Sequence, residues 1–233
     1  MQYKSHDILP ALVKKVGYES YLEIGVESGR SFHSVKTPIK VGVDPNEDSY
    51  ATVFETSDDF FHTNTQKFDL FFVDGLHEAD QVYRDINNCL KFANEGFTIV
   101  CHDMLPATEN ANSGDCWKAF VWLRHNRPDL EMFTINTDFG IGVIRAGSQK
   151  TIDISDYDCD YTEFENFVKH RQEWMNIISV EEFKRYLTVL ISLIAIRNIH
   201  SSVVSACYRI CKEIIVFIMI INIVKLIRCY KSF

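Results

Sequence analysis

The 233-residue sequence predicts an α/β domain: a mostly parallel sheet ending in an antiparallel hairpin, with helices on both faces. Three observations lead there. Short continuous apolar runs alternate with segments of helical spacing. The last two runs lie only three residues apart, too close for a crossover connection. The composition, 46% hydrophobic and 24% charged, is that of a soluble globular chain and excludes collagen-like repeats or wholesale disorder.

In chain order, Ile8, Leu9, Leu12, Val13 and Val16 form a helical stripe before the first apolar run, Tyr21–Ile24. Further runs are Lys40–Val43, Leu70–Val73, Thr98–Cys101 and Gly140–Ile144. Their length, continuity and β-branched content favour strands buried on both faces. Val82, Ile86 and Leu90, with Phe92 nearby, mark a helix before Thr98. Cys116, Phe120, Val121 and Leu123 mark another, ending near Pro128. Such alternation implies right-handed crossovers. Met132–Asn136 and Gly140–Ile144, joined by Thr137-Asp138-Phe139, should pair as a hairpin. Thr151–Asp160 is acidic and reads as a surface connection, and Tyr161–Tyr186 reads as helix.

The net charge is −8, against a nucleic-acid partner, which needs a basic face. The charge is uneven. Residues 183–233 hold eight Lys or Arg and one acid, Glu213, leaving sixteen basic and thirty-one acidic residues in 1–182. Seven cysteines, an odd number with no C-x-x-C pair, indicate reduced thiols and a cytoplasmic setting. Cys207 and Cys211, four apart, suit one helix face. The N-terminus has no apolar core of a secretory signal, so none is expected.

Tyr21–Ser31 is a strand running into a glycine turn, Glu23-x-Gly25-x-x-x-Gly29. Glycine lets the chain bend sharply and a ligand approach. The dinucleotide fingerprint needs a glycine where Glu27 stands, and a carboxylate there opposes a pyrophosphate. Asp44 ends the second run 19 residues after Gly25, where an acid accepts hydrogen bonds from ribose hydroxyls. Together they indicate a nucleoside ligand without a diphosphate. The simpler alternative is an ordinary loop with a surface aspartate.

These residues resemble the first two motifs of class I S-adenosylmethionine-dependent methyltransferases. The resemblance continues through Thr56–Phe61, Phe68–His77, Val82-x-x-Asp85-Ile86, Gly96–Asp103, Gly114–Ala119 and Asp138–Ile144. It covers about residues 5–186 and is similar to the branch of macrocin-type sugar O-methyltransferases. Glu95-Gly96-Phe97 departs from the Gly-Gly pair usual there. The resemblance implies a Rossmann-like, mostly parallel seven-stranded sheet with a C-terminal antiparallel hairpin. It implies S-adenosylmethionine as cofactor, bound through Glu23, Gly25, Ser28, Gly29 and Asp44. It also places Ser57 and Asp58, after a further strand, at the adenine; the bland reading makes them a helix N-cap before Phe60 and Phe61.

Asp74-Gly75-Leu76-His77 follows the Leu70–Val73 run and His102-Asp103 ends the Thr98–Cys101 run. Parallel strands put both tips on one edge, beside the glycine turn. Two carboxylates and two imidazoles there suggest a divalent-metal site or acid–base chemistry. Oxygen ligands favour Mg²⁺ or Mn²⁺, while imidazole leaves Fe²⁺ or Zn²⁺ open. The resemblance assigns Asp74 and Asp103 to the metal and His77 to the catalytic base; it names no third ligand, for which His102 and Glu109 are the candidates. The bland reading is a helix cap at Asp74 and packed histidines. Trp117, Phe120 and Trp122 are expected in the core or an interface, and Gly140 and Gly142 in the hairpin.

The expected function is metal-assisted O-methylation of a small polar acceptor such as a sugar hydroxyl. The alternative is a catalytically inactive nucleoside-binding or scaffold protein. Residues 1–186 form the expected catalytic domain and 187–233 a hydrophobic, basic helical tail. Its apolar runs, Leu187–Ile196 and Ile214–Ile221, fall short of a confident membrane span. Packing in a homo-oligomer or on the domain, attachment to an anionic membrane surface, and a true span all remain open for it.

Overall fold

The apolar runs become strands β1 (Ser20–Ile24), β2 (Ile39–Val43), β3 (Phe68–Val73), β4 (Ala93–Cys101), β5 (Leu130–Ile135), β6 (Ile141–Ala146) and β7 (Ile177–Ile178). They are seen in a computed structural model that describes residues 3–109 and 111–192. All seven form one sheet in the order β2-β1-β3-β4-β6-β5-β7. The β2–β1, β1–β3, β3–β4 and β5–β7 pairs are parallel. β6 runs antiparallel to both β4 and β5, and the hairpin closes from Leu130↔Ala146 to Ile135↔Ile141. The expected sheet and hairpin are both present.

The helices are α1 (Ser5–Leu12), α2 (Arg30–Ser34), α3 (Ser57–Thr63), α4 (Ala79–Lys91), α5 (Cys116–Asn126) and α6 (Phe164–Trp174). Alternate residues of the buried strands serve opposite faces. Leu22, Ile24, Phe71 and Val73 enter a core with Val82 and Ile86 of α4 and Trp117 and Phe120 of α5. The Trp117 ring stacks on Phe167 of α6 at 4.1 Å. On the other face Tyr21 stacks on Phe32 of α2. Ile8, Leu9 and Leu12 of α1 are buried, completely or nearly so. Both faces are therefore covered, which lets a parallel sheet shed its solvent-facing side.

Two elements differ from expectation. The strand expected before Ser57 is reduced to a single bridge, Val43↔Val53. The helix expected over Tyr161–Tyr186 is broken. It stops after Trp174, where Asn176 takes a left-handed φ of 47°, and β7 follows. Asn176 exchanges helical bonds for tertiary ones: its side chain donates to Met132 O at 2.9 Å and its carbonyl accepts from Thr134 N. Helical backbone resumes at residue 180 behind a reciprocal cap. Ser179 Oγ accepts from Glu182 N, and the Glu182 carboxylate accepts from Ser179 N. Phe183 of that turn is fully buried near Phe133.

Cys89, Cys101, Cys116 and Cys159 are free thiols, and burial pushes the first three well up from the usual thiol value. Trp117 and Phe120 lie in the core as expected, whereas Trp122 is 40% exposed. The chain divides into two compact units, Met1–Leu187 and Thr188–Phe233. Of the second, the described residues 188–192 are helical. The run Ile214–Ile221, most of Leu187–Ile196, and Cys207, Cys211 and Cys229 lie outside the described residues. Among the described residues no helix is long and apolar enough to cross a membrane.

Candidate active site

β1, β3 and β4 end side by side, and their tips open into a cavity of about 730 Å³. That is the size of a small-ligand pocket. Glycine is required at the first tip. Gly25 has φ +83°, and a Cβ there would stand 2.0 Å from the Asp74 carbonyl oxygen. The absence of a side chain at Gly25 therefore lets the β1 turn lie against the residue that follows β3.

Asp44, 8% exposed, organises that turn. Its Oδ2 accepts from the backbone N–H of Val26 at 3.0 Å and of Glu27 at 2.9 Å, and its Oδ1 accepts from Asn46 N. These amides are consequently engaged and do not form a cradle for a phosphate. Glu27 sits at φ +43° and lines the cavity, where the dinucleotide fingerprint would have glycine. Ser28 also lines the cavity. Gly29 is not among the lining residues; it turns at φ +69° at the start of α2, against Tyr50. Glu23 is 1% exposed and takes a hydrogen bond from the Tyr21 hydroxyl. Burial pushes its carboxyl up to about 8, with the nearby Asp74 charge adding to the rise against the Tyr21 bond.

The far wall begins at α3. Thr56, rather than Ser57 or Asp58, caps that helix, accepting from Asp59 N. Ser57 and Asp58 are thus free to line the cavity. Ser57 Oγ accepts from Gln81 of α4 at 3.1 Å, and Asp58 lies 3.5 Å from Arg84. Gln81 was missed in the sequence, although it is a polar residue on the first turn after Asp74-x-x-His77. Its amide also donates to the fully buried Asp85.

At the other end, the acids and imidazoles converge. His102 Nδ1 lies 3.2 Å from both Asp74 Oδ1 and Asp103 Oδ2. His77 Nε2 lies 3.5 Å from Asp74 Oδ1 and 3.3 Å from Asp103 Oδ2. His77 Nδ1 donates to the Asn112 carbonyl at 2.6 Å, so Nε2 is the nitrogen left to face the carboxylates. Asp103 is held at φ +62°. Such backbone strain in a non-glycine residue persists only where its surroundings enforce it.

The sequence did not reveal Asp138 as a member of this cluster. The hairpin turn carries it back to His102 Nε2 at 3.4 Å, and its Oδ2 also accepts from Ser5 N. Its partner lies 36 positions away, so no local pattern marks it. Burial opposes charge on His102, but the carboxylates of Asp103, Asp138 and Asp74 outweigh it and raise the imidazole to about 12. For His77 the hydrogen bond to Asp74 dominates and raises it to about 9. Burial alone would raise Asp74, yet the two imidazoles hold it below the usual carboxylate value.

Asp74, His102 and Asp103 present three donor atoms within 4.8 Å of one another. The donor set, two hard carboxylates and one imidazole, fits a divalent cation that takes the place of the proton His102 carries in the ligand-free fold. Glu109, the other expected third ligand, lies outside this group and lines a separate cavity beyond His77.

A family described as a methyltransferase domain matches residues 22–104, the stretch from β1 to the Asp103 tip. No curated protein matches the chain. Among solved structures, the SAH-bound methyltransferase PaMTH1 of Podospora anserina superposes with a TM-score of 0.51 at 16% identity. The match covers 61% of this chain and 78% of that one. Cofactor-bound Rv0187 from MTB gives 0.51 at 16% identity, covering 62% and 80%. This is the class I methyltransferase fold. At such identities the likeness concerns the backbone; which residues act is argued from the site itself.

Proposed function

We propose that the protein is an S-adenosylmethionine-dependent methyltransferase that methylates a hydroxyl oxygen of a small polar acceptor, such as a sugar. The observation that carries this reading is one cavity with the Gly25 turn and Asp44 at one end and the Asp74–His77–His102–Asp103 cluster at the other. Asp44 has carboxylate lone pairs beyond those facing the loop amides, and these suit ribose hydroxyls. Ser57, Asp58 and Gln81 provide hydrogen-bonding groups for an adenine edge. Asp74, held in its charged form, makes the cavity's floor electronegative, and Glu23, protonated in the ligand-free fold, can ionise beside a cationic sulfonium and amine.

Bound S-adenosylmethionine would supply an already activated methyl group, leaving the protein to align the acceptor and remove its proton. Asp74, Asp103 and His102 are the residues that would hold a divalent cation, which supplies a lowered pKa for an acceptor hydroxyl. His77 in its neutral form, populated as pH approaches 9, is the base, taking the hydroxyl proton at Nε2 while Asn112 fixes the ring through Nδ1. Gly25 and Asp74 keep the two ends of the cavity in register. Isothermal titration with S-adenosylmethionine, S-adenosylhomocysteine and NAD, with and without Mg²⁺, tests the reading. Binding of the first two and not of NAD is expected; preference for NAD, or no nucleoside binding, would overturn it.

A further inference from the structure

A small cavity of about 300 Å³ begins at His77 and reaches Asp115, Lys118 and Thr162. The same three residues line the next groove, of about 790 Å³, between α4, α5 and the segment before α6. His77 thus borders both the main cavity and the smaller one, and the groove is their neighbour through shared walls. Its outer end is an aromatic shelf formed by Tyr83, Trp122 and Tyr161. Trp122 stacks beside Tyr161 at 6.3 Å, and Tyr83 and Trp122 are 38% and 40% exposed.

The charge of this groove is one-sided. Lys118 is paired with Asp115 at 3.2 Å, and Asp115 also accepts from Ala79 N. Glu78 and Asp80 line the same groove, exposed. Neither takes part in an ion pair among the described residues. The α4 dipole accounts for acids at that helix end. It does not account for three aromatic rings facing the same space. Aromatic faces and unpaired carboxylates together are the surface that recognises an alkylated or protonated amine.

We propose that this groove is a second acceptor subsite, binding an ammonium group that the acceptor carries at a distance from the hydroxyl presented to His77. The assignment to an acceptor rests on the methyltransferase reading above. It makes the substrate an extended, cationic molecule. An anionic acceptor would meet Glu78 and Asp80, and a neutral ring would leave their charge unanswered.

Trp122 provides the readout, because Trp117 and Trp174 are 2% and 0% exposed and contribute little to acrylamide quenching. In the full chain, choline should protect Trp122 saturably. Its neutral carbon isostere, 3,3-dimethylbutan-1-ol, and methyl glucoside should bind about tenfold more weakly or not at all. The Glu78→Gln, Asp80→Asn double variant should weaken choline by about threefold to tenfold without changing S-adenosylhomocysteine affinity. Equal protection by the isostere or the glucoside, or none by choline, would overturn the cationic subsite. Calorimetry with S-adenosylhomocysteine on the same samples keeps the two readings apart. Nucleoside binding without choline protection sinks the subsite alone, whereas choline protection without nucleoside binding sinks its assignment to an acceptor.

Discussion

Gly25→Ala tests the turn on which the whole site depends. Two costs apply. A φ of +83° is unfavourable for an L-residue by about 1–2 kcal/mol. The new Cβ would also stand 2.0 Å from Asp74 O, 2.5 Å from Asp74 C and 2.6 Å from Gly75 Cα. All three are backbone atoms, so the β1 and β3 tips must part, at about 1–3 kcal/mol more by analogy with overpacked cores. The total is about 2–5 kcal/mol. Gly96→Ala isolates the first cost, since Gly96 has φ +81° but no atom within 4 Å of where its methyl group would stand. Thermal denaturation should show Gly96→Ala lowering Tm by about 2–8 °C and Gly25→Ala by about 4–20 °C, at 2–4 °C per kcal/mol. Gly25→Ala should also abolish S-adenosylhomocysteine binding in calorimetry, because Asp74 is displaced. Equal Tm losses for the two variants would refute the claim that close approach to Asp74, rather than backbone conformation, demands glycine at position 25.

Asp44→Ala should lower nucleoside affinity by about 1.5–3 kcal/mol in calorimetry, and Asp44→Asn by less, since an amide oxygen still accepts from Val26 N and Glu27 N. His77→Ala should reduce turnover by about 10²–10⁴-fold with S-adenosylhomocysteine affinity nearly intact, and excess chelator should lower methyl transfer in the unmodified protein; full activity in chelator would remove the metal but leave the base. Glu23, raised to about 8 in the ligand-free fold, keeps its proton where the unfolded chain, with a usual value of 4.5, has lost it. The folded state then binds more protons between those values, so this group erodes stability as pH rises from 4.5 to 8; urea unfolding at pH 5 and pH 8.5 should show a smaller pH-dependent loss in Glu23→Gln. A chain ending at Leu187 should fold with its melting temperature unchanged, as expected if the Thr188–Phe233 unit is separable; failure of that shorter chain to fold would make the unit part of the core.

The sheet was legible because its information is local and repeated. Continuous apolar runs of strand length, spaced by helical stripes, have few arrangements that bury both faces, and the three-residue gap at Thr137-Asp138-Phe139 admits only a hairpin. The site's main residues were legible for the same reason: Gly25, Asp44, Asp74, His77, His102 and Asp103 all stand at strand ends, and a parallel sheet carries those ends to one edge. Other features rest on contacts between residues far apart in sequence. Asp138 reads as a turn residue until the hairpin folds it onto His102. Helical spacing continues through Asn176, yet bonds to Met132 and Thr134 there outweigh one more helical turn and turn the chain into β7. Trp122 lies off the helical stripe of Trp117 and Phe120, but only packing brings it to the groove beside Tyr161. Periodicity tells which residues seek burial or a strand tip; which distant partner each one meets, and so its charge state and its access to a ligand, is decided by the tertiary fold.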